Sequence, residues 1–168
     1  MTTRYFLSFT LFVGALVASS ACGPRRAVPK GIPTVASDSI VGIVSIVGTT
    51  FEQRVVLRTR NQTVTLVASS PDSAALSHVG GTEIMVRGHS DSGMFRVENF
   101  VVVRVDGAPV FDGVLTRDGE RLALETATGR VLLGNPPTAF RVMFGARVWV
   151  GGPLDTGPNT FGIIVPAP

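Results

Sequence analysis

One cysteine, one tryptophan, one tyrosine and two histidines stand in a chain of 168 residues. A lone cysteine excludes an intramolecular disulfide and any cysteine-based zinc cluster. Charged residues make up 16% against 45% hydrophobic, so the chain is not a highly charged disordered tail. The apolar run Tyr5–Val17 has 13 residues. A helix crossing a bilayer core needs roughly 20. There is no Gly-x-Gly-x-x-Gly loop, no Walker-type loop and no Gly-x-Ser-x-Gly elbow. The length allows one ordinary domain or two very small ones.

What is present begins with an address. Met1–Arg4 carries a positive charge, Tyr5–Val17 is apolar, and Ala18–Ala21 is small. That is the three-part layout of a secretory signal peptide, so residues 1–21 read as a removable leader. The stretch Ala18-Ser19-Ser20-Ala21-Cys22 resembles a bacterial lipoprotein lipobox. The resemblance implies that the Cys22 thiol takes a diacylglycerol, that the leader is cut just before it, and that its new amino group can be acylated. Ala21 fits the cleavage site; Ser19 stands where the family usually has Leu. The alternative is an ordinary secreted protein, since Ser19-x-Ala21 also suits a general signal peptidase and leaves Cys22 as a free N-terminal thiol. On the lipoprotein reading the lipid bilayer is the partner, held through acylated Cys22 at about 0.8 kcal/mol per buried CH2. The location is then extracytoplasmic, on the outer membrane or the outer face of the cytoplasmic membrane. Gly23, rather than Asp, after the cysteine resembles outer-membrane sorting in some bacteria.

Residues 22–38 read as the lipidated cysteine and a flexible tether, rich in Pro and Gly and without apolar periodicity. The sequence pI near 10 points at first to an anionic partner. Of 15 basic residues, however, Arg4, Arg25, Arg26 and Lys30 precede Asp38, while all 12 acidic residues lie at Asp38 or beyond. The body is about one charge negative, and the basic excess sits beside the anchor, where cations contact anionic lipid at about 1 kcal/mol each. Solvated linker charge explains the same residues equally well.

From Ile40 onward, short alternating runs rich in Val, Leu and Ile recur between Gly, Asp, Asn and Pro. Period-2 alternation predicts strands at 40–47, 53–59, 63–68, 83–89, 94–104, 110–116, 121–126, 129–133, 146–152 and 160–165. The two halves align. Leu57-Arg58-Thr59 matches Leu124-Glu125-Thr126, and Val64-Thr65-Leu66 matches Val131-Leu132-Leu133. Gly81–Gly88 matches Gly145–Gly152, and Phe95 and Val97 then pair with Phe161 and Ile163. Self-similarity of this kind signals duplication. The connectors Pro71–Val79 and Pro136–Phe144 each suit a short helix. The expected fold is therefore all-β: two tandem five-stranded OB-like barrels, each with a short helix between strands 3 and 4. The domains would be 39–105 and 109–166, joined at Val105–Pro109. The chain resembles small OB-fold modules of bacterial envelope proteins. A single β-sandwich is the alternative.

Chemistry-bearing residues are few. His89-x-Asp91 lacks a third metal ligand, and Ser77-His78 are sequence neighbours without an orienting third group. Asn61-Gln62-Thr63 matches a glycosylation sequon, which the bacterial leader makes accidental. Neither catalytic residue, metal nor cofactor is expected. An OB-type ligand face on strands 2 and 3 would carry Arg58 and Arg60, with Phe51 as an exposed platform and loop 90–93 nearby. Most of the body's eight aromatics sit at inward strand positions, and the compartment also argues against nucleic acid. The sequence reads as a non-catalytic binding or adaptor module of the envelope with an envelope protein as a further partner. A structural envelope component is the second reading, and a small extracytoplasmic enzyme the third.

Overall fold

Inward-facing Val, Leu, Ile and Phe alternate with polar residues along nearly every predicted run, and strands form there. The computed structural model describes residues 37–49 and 51–168. Within them lie β1 (Asp38–Thr49), β2 (Glu52–Arg58), β3 (Thr63–Val67), α1 (Asp72–His78), β4 (Glu83–Asp91) and β5 (Met94–Val105). There follow β6 (Ala108–Asp118), β7 (Arg121–Thr126), β8 (Gly129–Leu132), a 3-10 helix (Thr138–Val142), β9 (Arg147–Gly151) and β10 (Thr160–Val165). The described residues are mostly β-strand, as an all-β fold requires, and no helix among them is long and apolar enough to cross a membrane.

The first five strands close on themselves. β1 pairs with β2 and with β4, β2 with β3, and β4 with β5, all antiparallel. A parallel contact of Thr65–Val67 with Met94–Arg96 joins β3 to β5 and completes the ring. Val44, Leu57, Ile84, Val86, Phe95, Phe100 and Val102 fill its interior, and α1 adds Ala75 and Leu76 to the same core. A ring of this order is not a pair of face-packed sheets, so the single-sandwich alternative does not describe the first half.

The second half repeats the pairings with one exception. β6 pairs with β7 and β9, β7 with β8, and β9 with β10. Among the described residues β8 pairs with β7 alone, so the contact equivalent to β3–β5 is missing and the second half stays open. Its connector is also a 3-10 turn rather than an α-helix. The reason lies in β10. Ile164 is buried in the core of the first half. Its carbonyl accepts a hydrogen bond from the His78 ring at 2.9 Å, so Nδ1 carries the proton. The last strand is committed to α1 of the first half and is not available to β8.

The register bears on the repeat. Leu57 faces Val64 as Leu124 faces Val131. Thr59 and Thr126 each donate a side-chain hydrogen bond to the carbonyl three residues on, Gln62 and Gly129. The expected match of Phe95 and Val97 to Phe161 and Ile163 is wrong by five residues. Phe100 faces Val86 and Val102 faces Ile84, as Phe161 faces Val150 and Ile163 faces Val148. The first half carries a longer β4–β5 hairpin, whose outer part the second half replaces with the loop 152–159.

The joint at Val105–Pro109 is a tight hairpin. Val105 faces Ala108, and Asp106 and Gly107 turn the chain with φ of 50° and 78°. Positive φ at both central positions is the type I′ geometry that matches strand twist. Just beyond it, β5 and β6 diverge, leaving the Val102 N–H and Phe100 carbonyl without a strand partner. Asp112 accepts from the Val102 N–H at 2.8 Å. Arg147 grips both Asp112 oxygens at 2.8 Å, donates to the Phe100 carbonyl, and lies 4.4 Å over the Phe100 ring.

Candidate functional site

Phe51 does not come together with the arginines expected to share its ligand face. Phe51 is 97% exposed at the tip of the β1–β2 hairpin. Arg58 is at the far end of β2 and Arg60 in the turn beyond it, both exposed. At about 3.3 Å per residue, a strand puts Phe51 and Arg58 roughly 23 Å apart. The 90–93 turn leads into Met94, which pairs with Thr65 of β3, itself opposite Val56 of β2, so that turn lies two strands from the middle of β2. Arg58 faces Ile43, which faces Glu83, itself paired with Arg104 at 2.9 Å. Cys22 lies outside the described residues.

The chemistry-bearing pairs also disperse. His78 is held by Ile164, and the Ser77 hydroxyl donates to the Ser73 carbonyl at 3.1 Å. Asp91 accepts from Arg96 at 3.0 Å and from Ser92, which together hold its carboxyl below the usual value. No group of three metal-ligating side chains is found among the described residues. His89 lies 3.3 Å from Glu98, whose second oxygen accepts from the Ser37 hydroxyl at 2.7 Å. Ser37, and then His89, hold the Glu98 carboxyl below its ordinary value. Both contacts favour the ionised form. Their contribution is therefore present above the ordinary glutamate value and lost as pH falls through the lowered one. In Ser37→Ala, the carboxyl titration of Glu98 followed by NMR should move up toward the ordinary value. An unchanged midpoint would remove Ser37 as the cause.

A cleft with more charge lies elsewhere. A cleft of about 840 Å³ opens between the β6–β7 hairpin and the 3-10 connector. Arg117 and Arg121 enter it from the hairpin and Arg141 from the connector, over a floor of buried Leu122 and Leu133. Glu120 and Asp155 share its wall. The Arg117 guanidinium stands 4.5 Å from the centre of the Phe144 ring. Among the described residues, none of the three arginines has a carboxylate within ion-pair distance, whereas Arg96, Arg104, Arg130 and Arg147 each do.

The register identifies the same cleft in the first half. There Ile46 takes the place of Arg117, Gln53 of Glu120, Arg54 of Arg121, Leu66 of Leu133, and Ser77 of Arg141. These residues line an opening of about 540 Å³. Ile46 packs toward Gly80 as Arg117 stacks on Phe144. The first cleft carries one cation, the second three. This arginine cluster was missed in the sequence because no local motif holds it. Only the β6–β7 pairing and the connector bring Arg117, Arg121 and Arg141 together. Comparison of the chain with protein-family models, with curated proteins and with solved structures returns no match.

Proposed function

We propose that this chain is a membrane-anchored lipoprotein whose body is a non-catalytic binding or adaptor module of the cell envelope. The body is built on two tandem barrels of OB type, the first closed and the second open. One observation carries the reading: a five-stranded ring in the order β1-β2-β3-β5-β4, with a helix between its third and fourth strands. That is the OB order, and OB barrels present loops and a strand face to ligands. The titratable side chains with fixed partners support a binding role over a catalytic one. His78 and Asp112 hold the two halves together rather than converging on a pocket. The edge of β8, free among the described residues, favours a second reading, a structural component that assembles through added strands.

Cys22→Ala tests the anchor. Wild type is expected in the detergent phase with acyl mass on Cys22, and the variant in the aqueous phase. Wild type without acyl mass and in the aqueous phase would overturn the lipoprotein reading and favour the secreted alternative. Capture from solubilised envelopes separates the two roles of the body. A specific protein partner supports the adaptor, and recovery of the chain alone supports assembly.

A further inference from the structure

We propose that the arginine cleft of the second half is an oxyanion site, taking a compact multivalent ligand of phosphate or pyrophosphate type. The proposal rests on the reading of the body as a binding module and names what the module binds.

Three observations point the same way. First, the two clefts occupy one place in the repeat, and they differ in the residues that decide what enters. Where the first half has Ile46 and Ser77, the second has Arg117 and Arg141, and Arg121 is matched by Arg54. The change adds two guanidinium groups on facing walls and widens the opening from about 540 to about 840 Å³. A guanidinium presents a fixed fork of N–H donors that matches phosphate and carboxylate oxygens. Second, Arg117 is held on the Phe144 face. A cation already held over a ring face is partly positioned, so less rotamer freedom is lost when an anion arrives. Among the described residues, none of the three arginines donates a hydrogen bond to a protein acceptor. Third, the body is about one charge negative, so three cations around one opening are not a sample of a generally basic surface.

Glu120 and Asp155 narrow the ligand class. Their carboxylates repel a diffuse or monovalent anion, which gains too little from the arginines to offset them. A small ion with several charges, engaged by two or three forks, gains most. The buried floor of Leu122 and Leu133 keeps water from one side of the site and strengthens each contact.

The test is calorimetric titration of pyrophosphate into the full chain in neutral detergent at low salt. Saturable binding is expected. Arg117→Gln and Arg141→Gln should each weaken it by about tenfold or more, the scale of a lost charge-assisted hydrogen bond. Arg54→Gln, in the equivalent cleft, should leave it unchanged. Thermal melts without ligand establish that each variant is folded, and Arg117→Lys, which keeps the charge but not the fork, should fall between. Competition with neutral vesicles doped with phosphatidate separates the sources of the ligand. Displacement of pyrophosphate means the phosphate is presented on a lipid headgroup, and none means a soluble one. Absence of binding, or equal loss in Arg54→Gln, overturns the site. If an envelope partner is still captured by the Arg117→Gln/Arg141→Gln variant, the oxyanion proposal alone has failed and the binding module stands.

Discussion

Asp112→Ala is expected to destabilise the body by about 3–5 kcal/mol, the scale for breaking a buried ion pair from one side. For a body of this size, that lowers the melting temperature by roughly 10 °C or more. The Asp112 side chain is 3% exposed and that of Arg147 is 22% exposed. Removing the carboxylate leaves the Val102 N–H without a partner and a guanidinium wedged against Phe100 with two of its three engaged donors idle. Asp112→Asn should cost less, because its amide oxygen still accepts from Val102. Replacing both partners, as in Asp112→Leu/Arg147→Met, should recover part of the loss. It removes the stranded charge but keeps the orphan N–H and frees the Phe100 carbonyl, at about 1–3 kcal/mol for a buried group left unpaired, so the recovery is partial. Differential scanning calorimetry of the four proteins checks the order. An Asp112→Ala melt within about 2 °C of wild type would show that β5 and β6 are held by the hairpin alone.

That ion pair was not legible in the sequence, and the reason shows where pattern reading stops. All ten predicted runs became strands, because one buried face forces period-2 alternation that survives in sequence. The Leu57 and Leu124 registers were legible for the same reason. The last strand was not. β5 carries two inward pairs, Phe95 and Val97, then Phe100 and Val102, separated by exposed Glu98 and Asn99 where the register with β4 shifts. Either pair fits Phe161 and Ile163, and only the cross-strand partners decide. The open second half was hidden too, since it follows from Ile164 packing into the other core. The expected partnership of Phe51 with Arg58 failed on distance. Phe51 and Arg58 are close in number, but an extended strand carries them to opposite ends. Arg117 and Arg141, 24 positions apart in the sequence, share a cleft through the fold.

Gly42→Ala should cost about 3 kcal/mol, at the upper end of the usual range for overpacking a core, and Gly113→Ala distinctly less. The two glycines are equivalents on β1 and β6. A Cβ on Gly42 would stand 2.5 Å from the Arg58 carbonyl oxygen and 3.0 Å from Leu57 Cγ. On Gly113 it would stand 2.5 Å from the Glu125 oxygen and 2.8 Å from Leu124 Cγ. In each half the second strand bends closely over the first, and glycine at a barrel corner permits that approach. The local clash is nearly the same, so any difference in cost measures how freely the neighbour can retreat. β2 is tied through β3 to β5, and it cannot move outward without straining a closed ring. β7 carries β8, which ends in a free edge among the described residues, and the pair can swing away together. Urea denaturation midpoints should therefore fall further for Gly42→Ala than for Gly113→Ala. Equal midpoints would mean that the second half is closed in solution, by β10 returning to β8 or by a strand from another chain.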